Sequence, residues 1–147
     1  MNFVKKKNLL GLILIIVPFA VVFGLILTAP SENTGREQIY HARLADPKQY
    51  SDGIFTEMFP IREGEYEIRF VLNGDSPQTL GVFLRGVTFS FEEEFELKGT
   101  EHGDIGKYYT WEYVGQNKIR IPDDQELEIT LNPHGNVLGP FSIYLIK

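Results

Sequence analysis

The sequence predicts an all-β fold, an antiparallel β-sandwich or jelly roll of about eight or nine strands, preceded by one N-terminal transmembrane helix. Three observations predict it. Apolar and polar residues alternate with a period of two in short blocks along residues 38–147, the pattern of strands with one buried face. Turn residues interrupt these blocks about every 8–12 positions, the spacing of sandwiches and jelly rolls. An uncharged apolar run, Leu9–Ala29, follows Lys5-Lys6-Lys7.

The apolar run comes first. A bilayer core of roughly 30 Å needs about 20 apolar helical residues, and Leu9–Ala29 supplies 21. A helix satisfies its own backbone in lipid, and membrane helices tolerate residues such as Gly11, Pro18 and Gly24. The cytoplasmic side attracts Lys and Arg, so Lys5–Lys7 place the N-terminus inside. The expected organisation is a cytoplasmic N-terminus at 1–8, a signal anchor at 9–29, a short stalk at 30–37 and an extracytoplasmic domain at 38–147. The competing reading is a signal peptide, with secretion after cleavage near Ser31. Signal peptides have a shorter apolar part, about 7–15 residues, and a small-x-small exit. A cut after Ala29 would put Leu27 and Pro30 at unsuitable positions, whereas a cut after Ser31 would use Ala29 and Ser31. No cysteine follows for lipidation. Both readings export residues 32–147.

The strands then follow in order. Gln38–Leu44 and Ile54–Ile61 are the first two. In Gly64–Leu72, Tyr66, Ile68, Phe70 and Leu72 share one face while Glu65, Glu67 and Arg69 share the other, and Asn73–Pro77 turns the chain. Leu80, Val82 and Leu84 alternate up to Gly86. Val87, Phe89 and Phe91 run into the acidic Glu92–Glu94, with Phe95 and Leu97 resuming before Gly99. Tyr109, Trp111 and Tyr113 alternate up to the turn Gly115–Asn117. Ile119 and Ile121 precede Pro122-Asp123-Asp124. Leu127, Ile129 and Leu131 lead to Asn132–Asn136, and Phe141, Ile143 and Leu145 form the last strand.

Composition narrows the function classes. With 43% hydrophobic and 13% aromatic residues the chain can build a core. Three of its 14 basic residues and none of its 20 acids precede residue 32, so residues 32–147 carry a net charge of −9. That sign opposes nucleic-acid binding, which leaves a basic footprint, and it also disfavours adhesion to anionic lipid. Self-repulsion accounts for the acidity as a means of solubility. With no cysteine, the domain relies on its core rather than on disulfides.

Local motifs for chemistry are sparse. The histidines are His41 in a strand and His102 and His134 in loops. There is no HExxH, no Gly-x-Ser-x-Gly and no phosphate-cradling glycine loop, so the chain does not read as an enzyme and no cofactor is implied. Glu101, His102 and Asp104 concentrate in the loop Gly99–Gly106 and are candidate metal ligands, although the oxygen-rich spacing of a calcium loop is missing. A flexible hairpin loop with solvated polar groups is the competing account. Asp123–Glu126 reads as a charged turn, and Glu92–Glu94 as a solvated strand edge that blunts sheet-to-sheet association. Tyr109, Trp111 and Tyr113 are candidate ligand-binding residues. Three aromatics on one strand face could stack on sugar rings, but they could equally fill the space between two sheets or form a protein interface.

The run Gly64-x-Tyr66-x-Ile68-x-Phe70-x-x-Asn73 resembles the strand signature of GOLD-type domains, the β-sandwich modules of the p24 cargo-receptor family. Pre-peptidase-type sandwiches are similar at this level. The likeness covers about 20 residues, including the following strand at Gln78–Leu84. This chain departs from the p24 pattern in lacking a cysteine in the strand and in placing its apolar segment before the domain. The resemblance implies a sandwich used for protein or ligand recognition, and it carries no functional residue across. The expected function is therefore a binding or protein-interaction module at the cell envelope, held to membrane lipid through residues 9–29. A carbohydrate-binding sandwich and a hydrolase with an unrecognised site are the alternatives.

Overall fold

The computed structural model describes residues 35–103 and 106–147. The span expected at 9–29, the segment before it and most of the stalk lie outside the described residues. Among the described residues, no helix is long and apolar enough to cross a membrane.

The period-two blocks become nine strands. They are β1 (Gln38–Leu44), β2 (Phe55–Ile61), β3 (Gly64–Val71), β4 (Thr79–Arg85), β5 (Ser90–His102), β6 (Tyr108–Val114), β7 (Lys118–Ile121), β8 (Gln125–Asn132) and β9 (Phe141–Ile146). A four-stranded sheet has the order β1-β9-β3-β7 and a five-stranded sheet the order β2-β8-β4-β5-β6. All neighbours are antiparallel. The two sheets form a β-sandwich.

The alternation decides which side chains meet between the sheets. Leu80, Val82 and Leu84 of β4 lie beside Leu127, Ile129 and Leu131 of β8, all fully buried. Ile68 of β3 and Ile143 and Leu145 of β9 close the core from the other sheet. The last strand is central, because β9 sits between β1 and β3.

Two boundaries differ from the sequence reading. Val87 lies in the β4–β5 turn, which Gly86 N–H closes by donating to Phe89 C=O at 2.9 Å. Val87 is 92% exposed and β5 starts only at Ser90. A hairpin tip has no sheet face, so alternation loses its meaning there. The second difference is larger. The loop expected to begin at Gly99 is strand: β5 runs through Gly99 to His102 because β6 pairs with it over Glu96–His102.

The edges are guarded by polar chemistry. Pro60 lies in β2, an edge strand, where a missing N–H is tolerated. Because β6 pairs with β5 only from Glu96 onward, Ser90–Phe95 has a free edge. Glu92 and Glu94 stand on its outer face. Glu93 faces inward, where its carboxylate accepts Gln116 N–H at 3.1 Å. The acidic run is thus at an edge, as its composition suggested.

Candidate functional site

The second half of β5 and most of β6 leave the sandwich as a two-stranded ribbon, while Tyr113 and Val114 stay beside it. β4 pairs with β5 only over Ser90–Glu96. Arg36 and Ser90 line one groove near the start of β5, and the ribbon projects from the opposite end. Isolated two-stranded ribbons are marginal in water, so this one needs buttresses.

Tyr113 and Trp111 provide them. The Tyr113 ring meets Phe70 edge-on at 4.9 Å, and its hydroxyl donates to Pro77 C=O at 2.8 Å. Burial pushes its pKa well above the ordinary phenol value, with nearby Tyr50 contributing. Trp111 lies opposite Gly99 across the ribbon. A Cβ on Gly99 would come within 2.7 Å of the indole, and one on Gly74 within 3.0 Å. The indole therefore occupies space left by two missing side chains, one on the facing strand and one in the turn Asn73–Pro77. That turn is itself fixed. Ser76 Oγ, buried, accepts from Asn73 N–H at 3.0 Å and donates to Pro140 C=O at 2.7 Å.

Tyr109 continues the row outward and is 51% exposed. Its ring stacks beside Trp111 with centroids 5.9 Å apart and planes 26° apart. The Tyr109 hydroxyl donates to Glu101 at 3.0 Å, and Lys107 pairs with the same carboxylate at 2.9 Å. The Lys107 ammonium first, and the Tyr109 hydroxyl second, hold the Glu101 carboxyl below its usual range. On the other face of the ribbon, Tyr108 is 59% exposed and stacks on His102 at 4.8 Å, while His102 Nε2 and Thr110 Oγ1 are 2.9 Å apart.

The three aromatic candidates thus divide. Tyr113 packs against the core, Trp111 is half-buried as a buttress, and Tyr109 is about half open. Tyr108 joins the site from the opposite face, where strand parity alone sets it apart from the trio. Among the metal candidates, Glu101 and His102 are consecutive on a strand and point to opposite faces. Asp104 lies outside the described residues. No group of three His, Asp or Glu side chains among the described residues is placed to hold a metal. The other histidines stand apart, with His41 stacked on Tyr144 and His134 paired with Glu94 at 2.8 Å.

Comparison of the chain with family models, with curated proteins and with solved structures gives no match.

Proposed function

We propose that this chain is a membrane-anchored extracytoplasmic binding module that engages a protein partner of the cell envelope through the β5–β6 ribbon. The observation that carries this reading is the placement of aromatics on both faces of a projecting, one-sided ribbon. Tyr109 and Trp111 occupy one face and Tyr108 the other, and among the described residues β6 has no strand beyond it. Large aromatic rings with polar tips are the side chains that anchor protein interfaces. A flat sugar platform needs coplanar open rings on one face, and here Tyr113 and part of Trp111 are already used by the fold.

The test is the doubly substituted full chain Tyr108→Ala/Tyr109→Ala, extracted from membranes in mild detergent and sized against the unsubstituted chain. Its melting temperature should hold while the native complex falls to the size of the free chain. An unchanged complex, or a free chain before any substitution, would overturn the reading.

The Tyr109–Trp111 stack beside the Glu101–Lys107 pair favours a glycan as the second reading. It requires a change in Trp111 emission on adding oligosaccharides.

A further inference from the structure

The acidic charge of the exported residues is divided unevenly between the two outer faces of the sandwich. On the four-stranded sheet, alternation turns Arg43 of β1, Arg69 of β3 and Lys118 and Arg120 of β7 outward. Arg36 joins them through its 3.2 Å pair with Glu67. Among the described residues, only Glu65 and Glu67 of these strands oppose the five cations on that face. Glu67 is shared by Arg36 and Arg69, and Glu65 meets Arg120 at 3.9 Å. Of the two inner strands of this face, β9 contributes no charge: Ser142, Tyr144 and Ile146 point outward, and Tyr144 is stacked with His41 at 4.3 Å. The five-stranded sheet is the reverse. Glu92, Glu94 and Glu96 of β5, Glu112 of β6 and Glu126 and Glu128 of β8 face outward, against Arg85 and Lys98.

We propose that the outer face of the four-stranded sheet docks on the anionic phosphate headgroups of the bilayer that holds the chain. The proposal rests on the anchor reading of residues 9–29. Six residues separate Ala29 from Arg36, and an extended chain spans at most about 3.6 Å per residue. The basic face therefore begins within about 25 Å of the end of the span. Lys and Arg near an anionic surface each add a weak attraction, and a short tether turns weak contacts into a populated state by raising their effective concentration. The uncharged strip along β9, flanked by cations on both sides, suits an interface where tyrosine settles at headgroup depth. The acidic face is repelled by the same surface, which selects one orientation. The sequence reading disfavoured lipid adhesion from net charge alone; it is the sheet face that meets a surface.

Trp111 is the only tryptophan and serves as the energy donor. The full chain is reconstituted in phosphatidylcholine vesicles, with or without phosphatidylglycerol, carrying a trace of dansyl-labelled lipid. Docking predicts greater transfer on the phosphatidylglycerol vesicles, lost in high salt. It predicts that Arg69→Gln/Lys118→Gln/Arg120→Gln stays at the neutral-vesicle level on both, while Glu126→Gln/Glu128→Gln on the other face keeps the increase. Equal transfer on the two vesicle types overturns the proposal. So does a triple variant that responds like the unsubstituted chain. Crosslinked dimers on neutral vesicles, abolished by the triple variant with transfer unchanged, would assign the face to a second copy instead and overturn lipid docking. The salt titration reads the same contact with no substitution, should the triple variant fail to fold. Flotation with neutral vesicles after carbonate washing reports the anchor separately. A chain that floats only with phosphatidylglycerol, through the three cations, removes the anchor and keeps the face; a chain that floats with neither overturns both.

Discussion

Replacing Gly99 by alanine tests whether the ribbon is held as described. The new Cβ would sit 2.7 Å from one atom of the Trp111 ring and 3.0 Å from two more. Carbon atoms rest at about 3.5–4.0 Å, so the indole must retreat by about 1 Å. Gly74 has no Cβ to block that retreat, but its backbone limits it, since a Cβ there would lie only 3.0 Å from the far edge of the ring. Overpacking of this kind costs about 1–3 kcal/mol. Alanine recovers about 0.5–1 kcal/mol of the entropy that glycine loses in a strand. The net loss is then about 0–2.5 kcal/mol, with about 1 kcal/mol as the central value. For a domain of this size, 1 kcal/mol corresponds to a fall in Tm of about 4 °C. Differential scanning fluorimetry reads the fall. Trp111 emission should shift to longer wavelength and become more accessible to acrylamide. A Gly99→Ala chain with unmoved emission and a higher Tm would show that the indole does not lie over Gly99, and the buttress account would be wrong.

Ser76→Ala leaves Asn73 N–H and Pro140 C=O without their buried partner, and should cost about 1–3 kcal/mol by urea denaturation; a loss below about 0.5 kcal/mol would contradict the joined turns. Deleting residues 139–147 removes β9 from the middle of the four-stranded sheet and exposes Tyr40, Ile68 and their neighbours, so the remaining chain should be insoluble; soluble material that melts cooperatively would sink that expectation. Alkaline pH supplies a further check. Burial raises the pKa of Tyr50 to about 12, and burial together with the Glu57 hydrogen bond raises that of Tyr40 further. The folded state then keeps protons that the unfolded state has lost, so stability is full below about pH 10 and falls as pH rises above it. Ultraviolet titration followed alongside circular dichroism should show these tyrosines ionising only as the fold is lost. Complete ionisation with intact circular dichroism would refute their burial.

How much of this was legible in the sequence depends on the range of the interaction involved. Tyr66, Ile68 and Phe70 announce their strand face because side chains alternate within a single strand, and the sequence displays that period directly. The same rule failed at Val87, where a turn replaced the sheet, and at Gly99, where a residue that usually breaks a strand is accommodated by an indole from the facing strand. It also grouped Tyr109, Trp111 and Tyr113 by parity. Parity cannot say that the second sheet covers Tyr113, that the turn at Gly74 covers part of Trp111, and that Tyr109 stays half open.

The sequence by itself determined the all-β class, the inward residues of most strands and the acidic sum of residues 32–147, since each follows from neighbours along the chain or from counting. Only the tertiary structure decided the strand order. That order places β9 between β1 and β3, sends the β5–β6 ribbon beyond the sandwich, and sorts cations to one outer face and carboxylates to the other. Those outcomes depend on pairings between residues far apart in the chain, such as Gln38 with Ile146 and Glu67 with Lys118, which no local pattern encodes.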